Sequence, residues 1–297
     1  MNVEQEGVTL RFPATANLAI DSRDRTSGGA GNFLINNQNS ILNGFFTRLA
    51  VNEVILYWCC DNVSGAFNNN TLTWTELGAG SATYTITIPD GQYTVSSLLA
   101  QIQTLMNASA SPRTYSIVNS TTIPGKLAIQ TSNASGLIWD TSNPDGLWQQ
   151  LGLPIGYSNP PTNTLGWVES DIACPVLLPL RYVDFVSAQL TYNQDLKDAN
   201  TNQRFNRDLL YRWHFAWDEE PTYDVSGYPI YQGYKSFIQR RTIAFPKQIK
   251  WNHSQPIGQL SFQVYGSNGE LLPGTAEGQP LATPEFEWAM NLLVSES

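Results

Sequence analysis

The stretch LLYRWHFAW, residues 209–217, alternates large apolar side chains with polar or smaller ones. One face of this stretch carries Leu209, Tyr211, Trp213, Phe215 and Trp217. A period of two predicts a β-strand with one buried face. The stretch FEWAMNLLV, residues 286–294, repeats the pattern, and its predicted buried face consists of Phe286, Trp288, Met290, Leu292 and Val294.

Further strands are predicted on both sides of these two stretches. They are expected at residues 16–21, 49–59, 72–77, 84–88, 183–191, 243–251 and 260–264. In the stretch 243–251, the residues Ile243, Phe245, Ile249 and Trp251 are predicted to share one face. About eight strands joined by short turns predict a mostly β protein, a single jelly-roll β-sandwich.

One region departs from this pattern and predicts a helix. Apolar residues recur at three- and four-residue spacing from Val95 to Met106, and Thr94 is a suitable N-cap. Short strands are predicted at 115–118 and 126–130, followed by a Pro/Gly/Asn-rich return linker at 154–166. Residues 89–170 are therefore predicted to form a small inserted α+β domain, with residues 1–88 and 171–297 forming the jelly roll.

Charged residues are scarce, at 14% of the chain, against roughly 25% in average soluble domains. The net charge of −9 argues against broad binding to nucleic acid, which requires clustered Lys and Arg. Only Arg240, Arg241, Lys247 and Lys250 are candidates for a local basic patch. Sparse charge and 34 aromatic residues (9 Trp, 13 Tyr and 12 Phe) suit a chain that packs against copies of itself. Extracellular lectins share this composition.

The three cysteines, Cys59, Cys60 and Cys174, do not predict a disulfide framework, which favours folding in a reducing cytoplasm. No signal peptide and no membrane-spanning run is apparent, so a soluble protein is expected. The Asn-x-Ser/Thr motifs are therefore interpreted as chance products of an Asn-rich chain; they occur at Asn62, Asn69, Asn107, Asn119, Asn133 and Asn252.

Motifs for catalysis or metal binding are weak. His214 and His253 belong to no metal-binding pattern, and Cys59–Cys60 lacks C-x-x-C spacing, so a buried pair of small apolar side chains is expected there. The glycine-bearing segment 27–31 lacks the lysine of a phosphate-binding loop and is interpreted as a turn.

Three charged segments remain open to two interpretations. Asp218, Glu219 and Glu220 form either a solvated loop or part of a calcium or sugar site. The same choice holds for an oxygen-rich loop that contains Asp195 and Asp198 with Asn193, Asn200 and Asn202. The segment Asp21–Arg25 forms either local ion pairs or an orienting contact between subunits. No catalytic, cofactor-binding or metal-binding residue is predicted, and an enzyme is not expected. A β-sandwich glycosidase stays open as an alternative, because its two catalytic carboxylates would come from distant strands and leave no local motif.

Several stretches taken together carry a resemblance. They are AIDSRDR (19–25), NFLINN (32–37), FFTRLAVNEVILYW (45–58), ITIPDGQYTVSSLLAQIQTLMN (86–107) and LLPLRYVDFVSAQLTYNQDLKDANT (177–201). In this order they resemble the penton, or minor capsid, proteins of virophages, polinton-like viruses and related small eukaryotic double-stranded DNA viruses.

The resemblance implies a structural capsid protein located in the virion and synthesised in the host cytoplasm. It implies a single jelly roll that assembles as a homopentamer at the icosahedral fivefold vertices, beside trimers of a double jelly-roll major capsid protein. The insertion would project outward and could meet a host receptor or a fibre. The family supplies no catalytic residue. The alternative function is a jelly-roll module that binds carbohydrate or a receptor, namely a lectin or a viral fibre head.

Overall fold

The structure of the protein is a computed structural model. The structure describes residues 15–37, 41, 46–77, 81–119, 127–132, 136–143, 146–153, 166–169, 177, 180–191, 196–197, 204–205, 208–215, 222–223, 225, 229–230, 237–250, 258–267, 269, 271–272 and 286–295.

These residues form β-strands and three helices. The strands are β1 (Thr15–Asp21), β2 (Ser27–Gly29), β3 (Asn32–Asn36), β4 (Arg48–Trp58), β5 (Thr71–Glu76), β6 (Thr83–Thr87), β7 (Tyr115–Asn119), β8 (Leu127–Thr131), β9 (Leu137–Trp139), β10 (Gly166–Glu169), β11 (Tyr182–Val186), β12 (Leu196–Lys197), β13 (Arg204–Phe205), β14 (Leu209–His214), β15 (Thr222–Tyr223), β16 (Pro229–Ile230), β17 (Phe237–Thr242), β18 (Gln248–Lys250), β19 (Gln259–Gly266) and β20 (Glu287–Ser295). The helices are α1 (Val95–Ala108), α2 (Leu147–Gln150) and α3 (Ala188–Thr191).

Two five-stranded antiparallel sheets form the larger part of the fold. Sheet 1 has the order β1-β20-β4-β17, and β18 also pairs with β4; sheet 2 has the order β14-β11-β19-β3-β2. Along the chain, β1 and β4 belong to sheet 1 and β3 to sheet 2, and the later strands also cross between the sheets. This interleaving is the topology of a jelly roll. The prediction of a mostly β jelly-roll protein is confirmed.

Side chains from both large sheets share one hydrophobic core. Trp288 of β20 contacts Phe33 of β3 and Phe262 of β19 at ring-centroid distances of 5.5 Å each. Its indole Nε1 donates a hydrogen bond to the carbonyl of Ala30, at 3.0 Å. The buried face predicted for residues 286–294 is also correct, since all five of its apolar residues are at most 3% exposed.

Three sequence predictions need correction. In β14 the structure buries Leu210 with Trp213 and Phe215, because a bulge opposite Phe185 and Val186 shifts the alternation by one residue. The predicted strand at 183–191 ends at Val186, and the chain turns into α3. Phe245 is 96% exposed, because a bend separates β17 from β18 and removes it from the face of Ile243 and Ile249.

The strands between β4 and β11 belong to neither large sheet. They form two three-stranded sheets, β6-β5-β9 and β10-β8-β7. A second core packs α1 against these strands, and it contains Trp74, Trp139, Leu98 and Ile102, each at most 2% exposed. Strands β5 and β6 contribute to this second core, although the predicted division at residue 89 assigns them to the jelly roll. The domain boundaries stay a prediction.

Helix α1 begins where the sequence predicts. The Thr94 hydroxyl accepts a hydrogen bond from the Ser97 amide at 3.2 Å, and the Ser97 hydroxyl accepts one from the Thr94 amide at 2.9 Å. This reciprocal capping box satisfies two amides at the helix N-terminus. No helix among the described residues is long and apolar enough to cross a membrane.

Candidate functional site

Residues of a candidate site would be expected to form a metal-binding cluster or to line a ligand cleft. Among the described residues, no cluster of three or more His, Cys, Asp or Glu side chains could hold a metal ion. A cleft between β1, β4 and β20, lined by Asp24, Glu53 and Asn291 among others, has a volume of about 150 Å³. Small-molecule sites usually measure about 300–1,000 Å³, so this cleft is too small for a typical organic ligand.

His214 and the two described cysteines differ in their exposure. His214 is exposed, and its ring lies edge-on to Tyr182 with a centroid distance of 5.8 Å. Cys60 is 5% exposed, and burial raises the pKa of its thiol, which stays protonated. Cys59 is only half-buried, so the expected buried pair holds for Cys60 alone.

The charged segment Asp21–Arg25 anchors β1 to β20. The Asp21 carboxylate accepts a hydrogen bond from the Arg23 amide at 2.9 Å, and Arg25 pairs with Glu287 at 3.2 Å. Ser22 is fully buried; it donates to Glu287 and accepts from the Trp288 amide at 3.0 Å. These contacts support the interpretation as local pairs. Arg23 stays 61% exposed, with its guanidinium 5.5 Å from the centre of the Tyr57 ring.

The outer face of sheet 1 holds a buried carboxylate. Glu53 of β4 lies between Asn291 of β20 and Thr242 of β17 and is 6% exposed. Arg240 donates to one carboxylate oxygen, and the Asn291 amide donates to the other at 2.7 Å. The hydrogen bond from Arg240 is the main cause that holds the pKa of Glu53 below its usual value. On the neighbouring edge, Ile238 is 72% exposed.

The candidate basic patch is divided by the strand pleat. Arg240 and Arg241 are adjacent in β17, and their side chains point to opposite faces of sheet 1. Arg240 pairs with Glu53 on the outer face, whereas Arg241 lies 4.2 Å from the centre of the core Trp213 ring. Lys247 and Lys250 are exposed farther along the chain. The two arginines therefore do not form one surface.

On the outer face of sheet 2, Arg212 of β14 forms an ion pair with Asp184 of the neighbouring strand β11. It donates two hydrogen bonds to Asp184 of β11, at 2.6 and 2.7 Å, and these bonds raise the pKa of Arg212. Its guanidinium also lies 3.7 Å from the centre of the Tyr182 ring. That face of Tyr182 is covered, so it does not offer the open aromatic platform on which a sugar would stack. This pair has no signature in the sequence, because Asp184 and Arg212 are 28 positions apart and meet only through the register of their two strands.

A second polar network lies inside the core of the small sheets. Glu76 and Arg113 form an ion pair at 3.1 Å, with side chains 5% and 10% exposed. Tyr115 donates to Glu76 and accepts from the Trp74 indole at 3.0 Å. Burial, together with the Glu76 contact, raises the pKa of Tyr115 to about 12. The phenol therefore stays protonated and joins β5 to β7 in a structural role.

Three asparagines of the glycosylation motifs bond to the backbone. Asn62 and Asn69 are fully buried. The Asn62 side chain exchanges two hydrogen bonds of 2.8 Å with the Tyr93 backbone, and Asn107 exchanges bonds of 2.8 and 2.6 Å with the Tyr115 backbone. These roles agree with the interpretation of the motifs as chance products. The Asn119 side chain, Asn133 and Asn252 lie outside the described residues.

Several predicted candidates also lie outside the described residues, so the predictions made for them stay untested. They are Cys174, His253, Asn193, Asp195, Asp198, Asn200, Asn202, Asp218, Glu219 and Glu220.

The architecture has a counterpart among solved structures. The crystal structure of the selenomethionine-labelled mavirus penton protein matches over 97% of this chain and 100% of its own, with a TM-score of 0.50 and 11% sequence identity. The chain has the fold of the mavirus penton protein. A structure of the Sputnik virophage by cryo-EM matches over 96% of this chain and 98% of its own, with a TM-score of 0.45 and 13% identity. No protein-family model and no curated protein matches. The resemblance to virophage pentons is thus confirmed at the level of the fold.

Proposed function

We propose that this protein is a non-catalytic capsid subunit that forms a homopentamer at the icosahedral vertices of a virus particle. The likeness to the mavirus penton protein along almost the full length of both chains carries this proposal. A fold alone does not fix a function, so the proposal also relies on the composition and on the side-chain chemistry. Sparse charge suits a surface that is buried in an assembly, because fewer ions lose their water there.

In this proposal the jelly roll is the rigid building block. Five copies in a head-to-tail ring would bury two different faces of each copy and close without a free end. The edge formed by β17 and β18 is a candidate for one of these faces, because Ile238 and Phe245 there are 72% and 96% exposed. The ring would contact a double jelly-roll major capsid protein, and the segment between β4 and β11 would project outward, where it could meet a host receptor.

The experiment is the mass of the purified full chain in solution, measured by light scattering and compared with ring-shaped particles in electron micrographs. The expected mass is about five times the chain mass of 33.0 kDa. A stable trimer would contradict the proposal and favour a viral fibre head. A stable monomer that also fails to enter particles with its major capsid protein would contradict it too, and a glycan screen would then test the lectin function.

A substitution pair tests the proposed edge. Replacement of Phe245 by Ser removes an exposed ring and should lower the pentamer mass, whereas Ala244→Ser changes an exposed neighbour without removing an aromatic contact. Both variants should keep the wild-type unfolding temperature. Equal masses for the two variants would exclude Phe245 from the ring contact.

A further inference from the structure

Strand β6 is the outer strand of the sheet β6-β5-β9, and its outer edge pairs with no other described strand. On its inner side β6 pairs with β5, from Thr71 opposite Thr87 to Thr75 opposite Thr83. The Glu76 amide donates to the Ala82 carbonyl at 3.0 Å, and the Ile88 amide donates to the Asn70 carbonyl at 2.7 Å. Even-numbered residues of β6 therefore direct their backbone groups toward β5, because these groups alternate along an antiparallel strand.

The backbone N–H and C=O groups of Thr83, Thr85 and Thr87 consequently point away from the sheet. Within the residues that the structure describes, no partner pairs with them. Their side chains are exposed, and Thr83 and Thr85 bond to Thr75 and Thr73 across the outer face at 2.8 and 2.9 Å. The edge thus offers a row of donors and acceptors that no described residue uses.

This edge lacks the usual protection against strand pairing. Proteins commonly protect edges with charged side chains, especially Lys, or with proline or a bulge. The sequence SATYTITIP, residues 81–89, contains no charged residue, and its threonines, tyrosine and isoleucines favour strands. Pro89 is the only proline of this stretch and stands at its end. It occupies the next outward-facing position beyond Thr87. Because proline has no N–H, the available ladder runs from Thr83 to Thr87 and ends there.

The sequence from Thr83 to Thr87 is nearly the same in both directions, so it can pair with a second copy of the same strand. It reads Thr-Tyr-Thr-Ile-Thr with Thr85 at the centre. If two copies pair antiparallel about Thr85, Thr83 faces Thr87 of the second copy, and Thr85 faces Thr85. Every outward-facing N–H and C=O then finds a partner. On the core side Tyr84 would face Ile86, an aromatic and β-branched pair that stabilises sheets.

We propose that β6 pairs edge to edge with β6 of a second copy of this chain, antiparallel and centred on Thr85. The contact joins the two small sheets into one continuous sheet and is related by a twofold axis, as any self-complementary contact must be. It is distinct from the head-to-tail contact of a fivefold ring and would connect two rings or two single chains. A five-residue ladder alone buries less area than the about 1,200 Å² of small specific interfaces, so the association should be weak for a single pair.

Charge complementation tests whether Thr85 faces Thr85 of the second copy. Thr85→Lys places two lysines opposite each other, and Thr85→Glu places two glutamates, so each variant alone should lose the association of the wild type. A mixture of the two should regain it, because Lys then faces Glu. Sedimentation velocity of the full chain over a range of concentrations would measure this, with the unfolding temperature as the control for folding. Wild-type association that neither variant weakens, or a mixture no better than the variants alone, would overturn the proposal.

Cysteine crosslinking provides a second measurement that traps a weak contact. In the proposed register the two Thr85 Cα atoms lie about 5.5 Å apart, within disulfide reach. Thr73 lies beside Thr85 on the same face but one strand farther in. Its copies would therefore be about 14 Å apart, since strands are spaced by about 4.8 Å. Under mild oxidation Thr85→Cys should give a covalent dimer and Thr73→Cys should not. Equal yields would overturn the register.

The outcome is separable from that of the proposed pentamer. Light scattering of the wild type gives the mass of the basic unit, which is either a fivefold ring or a single chain. The Thr85→Lys variant should keep this mass and should lose only the further association of two such units through β6. Loss of the fivefold mass in this variant would contradict the assignment of β6 to a separate twofold contact.

Discussion

Gly28 is a position where a single side-chain atom decides whether a hairpin can form. Its φ is +94°, and a Cβ atom placed there would lie 2.2 Å from the Asn32 carbonyl oxygen. Both the left-handed conformation and the contact with the backbone of β3 make any other residue at this position unfavourable. The hairpin β2–β3 carries Ala30 and Phe33 of the jelly-roll core, so strain at Gly28 would reach that core.

We therefore expect Gly28→Ala to lower the free energy of unfolding by about 1–3 kcal/mol. Denaturant titration would measure it. Gly258→Ala is the matched control, because its Cβ would meet no atom closer than 3.6 Å. Similar midpoints for both variants would show that the hairpin adapts to a side chain at position 28.

Glu53 should stabilise the fold at neutral pH. Hydrogen bonds from Arg240 and Asn291 hold its pKa below the usual value of about 4.5, so its contribution is present above that value and is lost as the pH falls through the lowered pKa. Glu53→Gln should lower the urea midpoint at pH 7, and the difference from the wild type should shrink below pH 4. A difference that is constant with pH would contradict the ionised role of Glu53.

Asp61 should have the opposite effect. Burial, with a smaller contribution from the charge of Asp90, raises the pKa of Asp61, so ionisation costs stability in the folded state. Asp61→Asn should therefore raise the urea midpoint at pH 7. It should leave the midpoint unchanged near pH 3, where the aspartate is protonated in both folded and unfolded chains. A variant less stable than the wild type at pH 7 would contradict this prediction.

Helix α1 offers a direct test of how a local sequence signal stabilises an element. Thr94→Ala removes the capping hydroxyl and should cost about 1 kcal/mol. Thr104→Ala makes the same change in the middle of the same helix, where the hydroxyl bonds back to the Ala100 carbonyl at 2.9 Å. That variant should be neutral or slightly stabilising, because alanine is the better helix former. Thermal unfolding would compare the two, and an equal loss in both would contradict the capping role.

Elements with strong local patterns were predictable from sequence. The strict alternation of β20 and the three- and four-residue spacing of α1 with its Thr94 cap gave the element type and the buried face. Both patterns follow from the geometry of an isolated strand or helix, so they need no knowledge of the partner. The β20 prediction placed all five core residues correctly.

Elements shaped by their neighbours were not predictable. The bulge in β14 depends on the register against β11, and it changes the buried residue from Leu209 to Leu210. The ion pairs of Glu53 with Arg240 and of Asp184 with Arg212 join residues 187 and 28 positions apart. Neither pair has a local signature, because each forms only when two strands adopt their register. The open edge of β6 is visible only once β5 is known to be its single described neighbour.

The described residues form two cores, and we propose that these belong to two domains with the boundary near residue 60 and the return near residue 180. One cluster holds residues of sheets 1 and 2, and the other holds α1 with β5 to β9. The predicted boundary at residue 89 would separate β5 and β6 from α1, with which they share a core.

Core substitutions should therefore act locally. Leu98→Ala empties space in the second core and should cost about 2–5 kcal/mol there, with faster amide exchange in β5 to β8 and little change in β19 and β20. Leu260→Ala, in β19, should give the reverse pattern. Hydrogen exchange measured by mass spectrometry would map both. Equal acceleration in both cores would show that the chain opens as one cooperative unit.

The position of β20 between β1 and β4 has a consequence for synthesis. Of the strands in sheet 1, the ribosome delivers β20 last, yet it occupies the middle of the sheet and pairs with both neighbours. Until it emerges, β1 and β4 have no common partner, and the core lacks Trp288. A translation product truncated before β20 would thus lack a complete sheet 1, and this sheet could not contact neighbouring chains. If the proposed capsid function is correct, assembly would include only chains whose translation has passed this strand, without a separate quality-control factor.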